Sequence, residues 1–320
     1  GCKLYLSLSG GNFSFTGWKK RLAPDEKYVS RKVSLCVGDS LNGVLQKMTL
    51  YRRDTAEFGT ADQDLPVIFN EYMYFSWDSP EEERTLALVP VAAECGADIY
   101  VIDCGWHDEV DGSKIYPYVG KWKESKVRFP HGVRAITDYI RSFGMKAGLW
   151  IEPEVVGSLS GEEYPDEAYI RTNGQRVLVA GRYFLDYRHP EVRRRMSDAI
   201  ARMVGEYGAQ YIKIDCNQDC GVGTEVLSDS CGEGLEQTSQ AFWEWLREQR
   251  IKYPSVIFES CASGGMRIDW QSLRVSSVMS ASDQIIYYKF PYIIANIFSA
   301  ALPEQAAFWS YPVINGRYED

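Results

Sequence analysis

HPEVRRRMSDAIARMVGEYGAQYIKIDCN, residues 189–217, holds the decisive reading. His189 and Pro190 open a helix, because proline at the first helical position lacks only an N–H that would have no partner there. Arg193, Met196, Ile200 and Met203 continue it at helical spacing, and Gly208 stops it. A β-branched and aromatic run, Gln210 to Cys216, comes immediately after and reads as a strand. A helix that leads straight into a strand is half of a βαβ unit, and its repetition builds a parallel sheet.

Outward from this segment the pattern recurs. Strands are expected at Pro66 to Phe75, Asp98 to Asp103, Lys146 to Pro153, Gln210 to Cys216, Ser255 to Cys261 and Val275 to Ser280, with a weaker one at Ala306 to Val313. Ser79-Pro80-Glu81-Glu82 combines a serine cap, a proline at the first position and a capping-box glutamate, which predicts a helix from Ser79 to Cys95 closed by Gly96. A further helix, Gln240 to Lys252, stops before Pro254. Seven strands alternating with helices predict an α/β fold, either an open sheet or, by length, a (β/α)8 TIM barrel over residues 61–320. An eighth strand is not found before Asp320, so the barrel is expected to be incomplete at its C-terminus, with unpaired edges on strands one and seven that invite self-association. Residues 1–60 read differently. Alternating stretches at Lys3 to Leu8 and Lys32 to Cys36, broken by Gly, Ser and Pro, suggest the end of an antiparallel β domain and a linker.

The chain has 320 residues, 45% of them hydrophobic, enough for one large core. Its 44 acidic against 35 basic residues give a formal charge of -9, which repels phosphate backbones and anionic membranes. Nucleic acid and membrane are therefore excluded as expected partners, and no apolar run approaches the roughly 20 residues of a membrane span. The first residues, Gly1 to Gly11, show no export signal, and the eight cysteines sit partly in apolar runs where thiols act as small hydrophobes. A reduced, cytoplasmic protein is the expectation. Cys216, Cys220 and Cys231 raise the question of a metal, but His107, His131 and His189 fall in no ligand-like spacing, so neither metal nor cofactor is expected.

Polar residues recur at the ends of the apolar strands. Asn70 and Glu71 interrupt the first, Asp103 ends the second, and Glu152 and Glu154 close the third. Lys213, Asp215 and Asn217 alternate in the fourth, Ser260 and Cys261 end the fifth, and Asp283 comes just after the sixth. A single carboxylate of this kind is usually a cap or a solvated loop. Six strands that share the habit put their polar residues at one barrel mouth, where active sites of this fold lie. An acidic, metal-poor mouth suits glycoside chemistry, in which one carboxyl attacks or stabilises an oxocarbenium-like centre and another protonates the leaving oxygen. Trp150 and Trp106 offer apolar faces for sugar rings.

At these residues the chain resembles glycoside hydrolase family 36, the bacterial α-galactosidases, over about Pro66 to Asp283. Asp103-Cys104-Gly105-Trp106 resembles the family's Asp-Asp-Gly-Trp, and Gly148-Leu149-Trp150-Ile151-Glu152-Pro153-Glu154 its Gly-Leu-Trp-Phe-Glu-Pro-Glu. Tyr211-Ile212-Lys213-Ile214-Asp215-Cys216-Asn217 is similar to the nucleophile strand, and Glu259 to Arg267 to the Glu-Ser-Cys region with its paired glycines. Ser282-Asp283 falls where the family has its acid/base. The resemblance implies a retaining glycosidase that cleaves terminal α-galactosyl-type residues from an oligosaccharide or glycoside, with Asp215 as nucleophile and Asp283 as general acid/base. It implies Asp103, Cys104, Trp150, Lys213, Asn217, Cys261 and Gly264 as sugar contacts, and it leaves room for a homo-oligomer of the full-length protein. Lys213 precedes Asp215 by two residues on the same strand face, so its charge favours the ionised nucleophile. Retention requires the two carboxyls to stand about 5 to 5.5 Å apart. Gly264 and Gly265 allow a backbone to approach the sugar closely.

The departures point to the substrate. Cys104 replaces the second aspartate, which in the family is expected to bind the 4- and 6-hydroxyls of galactose together with the first. A sugar with a modified or absent C6 group, such as a β-L-arabinopyranoside, then becomes an alternative substrate, and an α-N-acetylgalactosaminide stays open as another. Asn70-Glu71-Tyr72 lacks the family's tryptophan, with Tyr72 as the substitute ring, and Met279-Ser280-Ala281 replaces an aromatic run before the acid/base. Transglycosylation through the same carboxyls, with Trp106 and Tyr183 as acceptor-side aromatics, and a sugar-binding homologue without catalysis are the competing readings.

Overall fold

The helix expected in the opening segment forms as Pro190–Gly205, and His189 caps it by accepting the Glu191 N–H at 3.2 Å on its ring nitrogen. Val192, Met196, Ala199, Ile200 and Met203 are buried along one stripe, each worth up to about 2 kcal/mol relative to an exposed position. Gly208, at φ +71°, turns the chain into the next strand. The computed structural model describes residues 10–57, 64–108 and 115–310. Within them, seven strands form one curled parallel sheet in sequence order: β1 (Ile68–Asn70), β2 (Ile99–Ile102), β3 (Lys146–Ile151), β4 (Tyr211–Ile214), β5 (Ile257–Ser260), β6 (Val278–Ser280) and β7 (Ala306–Ala307). Helices lie between successive strands, the order of a (β/α)8 barrel through its seventh strand, and β1 and β7 are the sheet's edges.

Strand alternation places the site. Tyr100, Ile102, Ile212 and Phe258 belong to the large core packed under the helices. Their neighbours Ile99, Val101, Tyr211 and Ile257 form a separate buried cluster with Ile68 and Val278 on the other face. Two residues further along that inner face come Asp103, Lys213 and Glu259. The register aligns Trp150 with Lys213 and Lys213 with Glu259, so their side chains share one level across three strands.

Several expectations need correction. The first apolar run is a strand only to Asn70, because the Asn70 side chain accepts the Tyr72 N–H at 2.9 Å and the Ser76 hydroxyl bonds the Glu71 carbonyl, winding Tyr72–Ser76 into a π-helical turn. The next helix is Glu82–Glu94, not Ser79 to Cys95. The Glu82 N–H is taken by the Arg128 carbonyl at 2.9 Å, and no side chain caps the start. The helix before β5 starts at Cys231, nine residues ahead of the expected Gln240, capped by Ser230. Gly232 and Gly234 disguise that start. A Cβ at Gly232 would lie 2.3 Å from the Thr16 carbonyl oxygen and one at Gly234 2.1 Å from that of Thr224, so both glycines permit close chain approach inside a helix. Of the run Ala306 to Val313, only Ala306–Ala307 pair as a strand, and residues 311–313 lie outside the described residues.

Between β3 and Pro190 an unforeseen antiparallel insert appears, with Val155–Gly157 and Leu178–Val179 flanking Arg182–Phe184, beside a hairpin at Arg171–Thr172 and Gln175–Arg176. Asn173-Gly174, both at positive φ, is the tight-turn signal that marked it. The N-terminal region also differs. Lys3 to Leu8 lie outside the described residues, and Lys32 to Cys36 pair with no described strand. Residues 18–31 instead cross the start of helix Cys231–Lys252, where Trp18, Tyr28 and Arg31 all bond the Glu236 carboxylate. Ser40 then caps a helix, Leu41–Thr55, whose Arg53 pairs with Glu304 at 2.6 Å. Polar contacts to the barrel's outer helices hold this stretch where a sheet was expected.

Candidate active site

β2, β3 and β4 end side by side, and their last residues with the loops beyond line a concave pocket. Asn70, Tyr72, Met73, Asp103, Cys104, Tyr116, Trp150, Lys213, Asp215, Asn217, Asp283 and Trp309 form its wall. At its floor the Lys213 ammonium donates to Asp103 Oδ2 at 2.9 Å, and the Asn70 amide donates to the same oxygen at 2.5 Å. Burial alone would lower the Lys213 pKa, but the carboxyl of Asp103, the Cys261 thiol and the carboxyls of Glu259 and Asp215 outweigh it and hold the ammonium well above its usual range.

Asp215 is buried and accepts four hydrogen bonds. Trp150 Nε1 donates to Oδ2 at 2.9 Å and Asn217 Nδ2 at 3.1 Å, while the backbone N–H groups of Cys216 and Ser263 reach Oδ1 at 2.8 and 3.3 Å. A carboxyl surrounded by donors matches the acceptor-only ionised form. Asp283, on the loop after β6, is different: burial pushes its carboxyl pKa up, Lys213 pulls it back, and the nearby Asp215 and Asp103 raise it further. One pocket thus holds a carboxylate fixed by donors and a second carboxyl biased toward keeping its proton, the division of roles that acid and nucleophile require.

Around them sits a supporting layer. Glu152 is fully buried, pairs with Arg182 at 2.6 Å and accepts the Asn217 N–H at 2.8 Å, so it fixes the residue that in turn holds Asp215. Burial pushes its carboxyl up to about 7, against the pull of Arg182. Glu154 pairs with Arg267 at 2.5 Å. Glu259 accepts from the Tyr211 hydroxyl at 2.7 Å, and Glu71 from the hydroxyls of Tyr100 at 2.6 Å and Thr85 at 3.0 Å. Burial pushes Glu259 and Glu71 to about 7 as well.

Of the sequence candidates, Asp103, Cys104, Trp150, Lys213, Asp215, Asn217 and Asp283 all line the pocket. Cys261 and Gly264 lie behind it: the Cys261 sulfur accepts the Gly264 N–H at 3.3 Å, and the space a Gly264 side chain would take is filled by Ser282 and Asp283. Trp106 is no sugar platform, because it is 0% exposed and donates its Nε1–H to the Trp150 carbonyl at 2.8 Å. Tyr183 packs on Tyr169 within the insert and is not part of the pocket wall. The sequence reading missed Tyr116 and Trp309. Tyr116 opens a short 3-10 turn and Trp309 follows the two paired residues of β7, places where no polar strand end pointed to a site; Trp309 Nε1 donates to Ser280 Oγ at 3.2 Å, and its ring lies 5.8 Å from Lys213 Nζ. Cys104 is fully buried, and burial together with Asp103 raises its thiol well above the usual range, so this part of the wall is neutral. Among the described residues no three His, Cys, Asp or Glu side chains are grouped to hold a metal ion, and no helix is long and apolar enough to cross a membrane.

Comparison with known proteins identifies the family and the fold. The Melibiase family profile matches residues 28–286. An α-galactosidase of Lactobacillus acidophilus is 28% identical over 291 residues, 88% of this chain and 38% of its own length. An Escherichia coli α-galactosidase is 28% identical over 256 residues, 77% of this chain and 34% of its own. The chain thus spans little more than a third of these relatives. Among solved structures, a variant of the family 36 α-galactosidase AgaA from Geobacillus stearothermophilus in complex with raffinose superposes with a TM-score of 0.74 at 24% identity, covering 83% of this chain and 37% of that one. With the profile matched across most of its length and the fold shared, the chain belongs to the melibiase family, glycoside hydrolase family 36, and forms part of its catalytic domain.

Proposed function

We propose that the pocket is the active site of a retaining α-galactosidase-type glycoside hydrolase, with Asp215 as nucleophile and Asp283 as general acid/base. The observation that carries this reading is the pairing in one pocket of a carboxylate held by four donors with a second carboxyl whose pKa is raised by burial and by the neighbouring Asp215 and Asp103. In the first step Asp283 protonates the departing oxygen while Asp215 Oδ attacks the anomeric carbon. In the second, Asp283 takes a proton from water, which displaces Asp215 with net retention. The Trp150 and Asn217 donors hold Asp215 in the orientation needed for attack. Asp103, Lys213 and Asn70 form a polar floor that can bind sugar hydroxyls, and the rings of Tyr72 and Trp309 provide apolar faces.

Cys104 favours a second reading within this chemistry. A neutral thiol in place of a carboxylate reduces the preference for a free hydroxyl at that wall, which suits a β-L-arabinopyranoside, a sugar without the C6 group. The test is to assay the intact protein against nitrophenyl α-galactoside, α-N-acetylgalactosaminide and β-L-arabinopyranoside beside Asp215→Ala. The expected result is turnover of at least one, lost in the variant, with product of retained configuration by NMR. Inverted product, or turnover that survives Asp215→Ala, would overturn the assignment, and failure with all three glycosides would favour a binding role.

A further inference from the structure

We propose that the turn Cys261 to Gly265 is the spacer that sets the separation of the two carboxyls, with Gly264 as its positioning residue. The inference rests on the roles of Asp215 and Asp283 proposed above. One end of the turn is tied to the nucleophile. The Cys261 N–H bonds the Ile214 carbonyl at 2.7 Å, the Ser263 N–H reaches Asp215 Oδ1 at 3.3 Å, and the Ser263 hydroxyl donates to Asn217 Oδ1 at 3.0 Å. The other end is tied to the segment that carries Asp283. Gly264 forms an isolated antiparallel bridge with Ser282, and Gly265 lies against the Ala281 carbonyl, where a Cβ would come within 2.3 Å.

The turn is internally braced. The Ala262 N–H bonds the Gly264 carbonyl at 2.9 Å, and the Gly264 N–H bonds the Cys261 sulfur at 3.3 Å. Ser263 and Gly264 are both left-handed, at φ +43° and +79°. A Cβ on Gly264 would fall 2.5 Å from the Asp283 nitrogen and 2.6 Å from Ser282 Cα, where 3.4 Å begins ordinary contact. The backbone of Ser282 and Asp283 would have to retreat by about 1 Å, a displacement large enough to cost about 100-fold when it separates reacting groups. Retention requires a separation within a narrow range of about 5 to 5.5 Å, so a shift of this size bears directly on the pair. The movement would fall on Asp283, because Asp215 is held independently by Trp150, Asn217 and the Cys216 N–H.

The test is Gly264→Ala in the intact protein, assayed on whichever sugar the wild type accepts, with an alkyl leaving group and with dinitrophenolate, which departs without protonation. A displaced acid should lower kcat/KM on the alkyl glycoside by at least about 100-fold and leave the dinitrophenyl glycoside within about tenfold. Sodium azide should then accelerate the variant and not the wild type. Azide attacks the anomeric carbon of the glycosyl-enzyme, forming the C–N bond as the bond to Asp215 breaks, so a glycosyl azide of retained configuration should accumulate. Circular dichroism checks the fold. If Gly264→Ala does not fold, Ser263→Gly, which its positive φ accepts, loosens the same turn and should give a smaller split of the same sign. Equal slowing on both glycosides without azide response, or kinetics unchanged from wild type, overturns the inference while the functional reading stands. Turnover that persists in Asp215→Ala overturns the functional reading and this inference with it.

Discussion

Lys213→Met isolates the interaction at the pocket floor. The pair Lys213–Asp103 is 2.9 Å long with side chains 9% and 3% exposed, so little water reaches either charge. Deleting the ammonium leaves Asp103 with the Asn70 amide and the Cys104 N–H as donors, beside the carboxyls of Glu71 and Glu259. Removing one member of a buried pair costs about 3 to 5 kcal/mol, because the remaining charge keeps its desolvation penalty without its partner. Against a total stability of about 5 to 15 kcal/mol that is a large fraction. Asp103→Asn should cost less, about 2 to 3 kcal/mol, since the remaining ammonium still faces Asp215 and Glu259. The double variant carries neither charge and should be more stable than Lys213→Met alone, with a coupling of at least about 2 kcal/mol. Urea unfolding of the four proteins at pH 7, read at constant m-value, measures the cycle directly. Activity is unsuitable here, because both residues line the pocket. Additivity within about 0.5 kcal/mol would refute the claim that these residues act as a pair.

Glu71 gives a pH test. Its folded pKa is pushed from 4.5 to about 7, so between those values the folded state keeps a proton that the unfolded state releases. This favourable contribution is complete below about pH 4 and disappears as pH rises through about 7, a change of about 3 kcal/mol that should be absent in Glu71→Gln. A difference in stability between wild type and variant that stays flat from pH 4.5 to 7.5 would contradict it. Cys104→Asp should raise the ratio of α-galactoside to β-L-arabinopyranoside turnover by about tenfold or more, because a buried carboxylate left without a sugar hydroxyl is penalised. An unchanged ratio would exclude Cys104 as a determinant of sugar choice.

The site was legible where it rides on strands. Period-two alternation fixes which residues share a face, so the sequence order Tyr211, Lys213, Asp215 already placed a lysine beneath a carboxylate, and Asp103 and Trp150 came from neighbouring strand ends. It was illegible where loops supply the wall. Tyr116, in a 3-10 turn, and Trp309, just past the paired part of β7, are aromatics without a polar strand-end signal, and only the three-dimensional path of the chain brings them to the pocket. The N-terminal misreading has a related cause. Val33 and Leu35 alternate as in a strand, yet both are exposed, and alternation identifies a strand only when one face is buried. Helix Cys231–Lys252 was cut short because glycine lowers helix propensity, while tertiary packing against Thr16 and Thr224 requires glycine there.

Trp106 and Gly264 show why a motif position and a contact are different claims. Both belong to sequence patterns that resemble sugar-binding segments, and neither is part of the pocket wall. Trp106 is sealed beneath the pocket with its N–H on the Trp150 carbonyl, where it fixes the strand end whose indole holds Asp215. Gly264 is flat because the backbone carrying Asp283 occupies the place of a side chain. A pocket wall can tolerate a changed residue by changing its substrate, the role proposed above for Cys104. The layer behind it cannot, since a displacement of about 1 Å there moves a reacting group. Substitution should therefore cost activity most at residues that position the carboxyls, while those that line the pocket can change specificity.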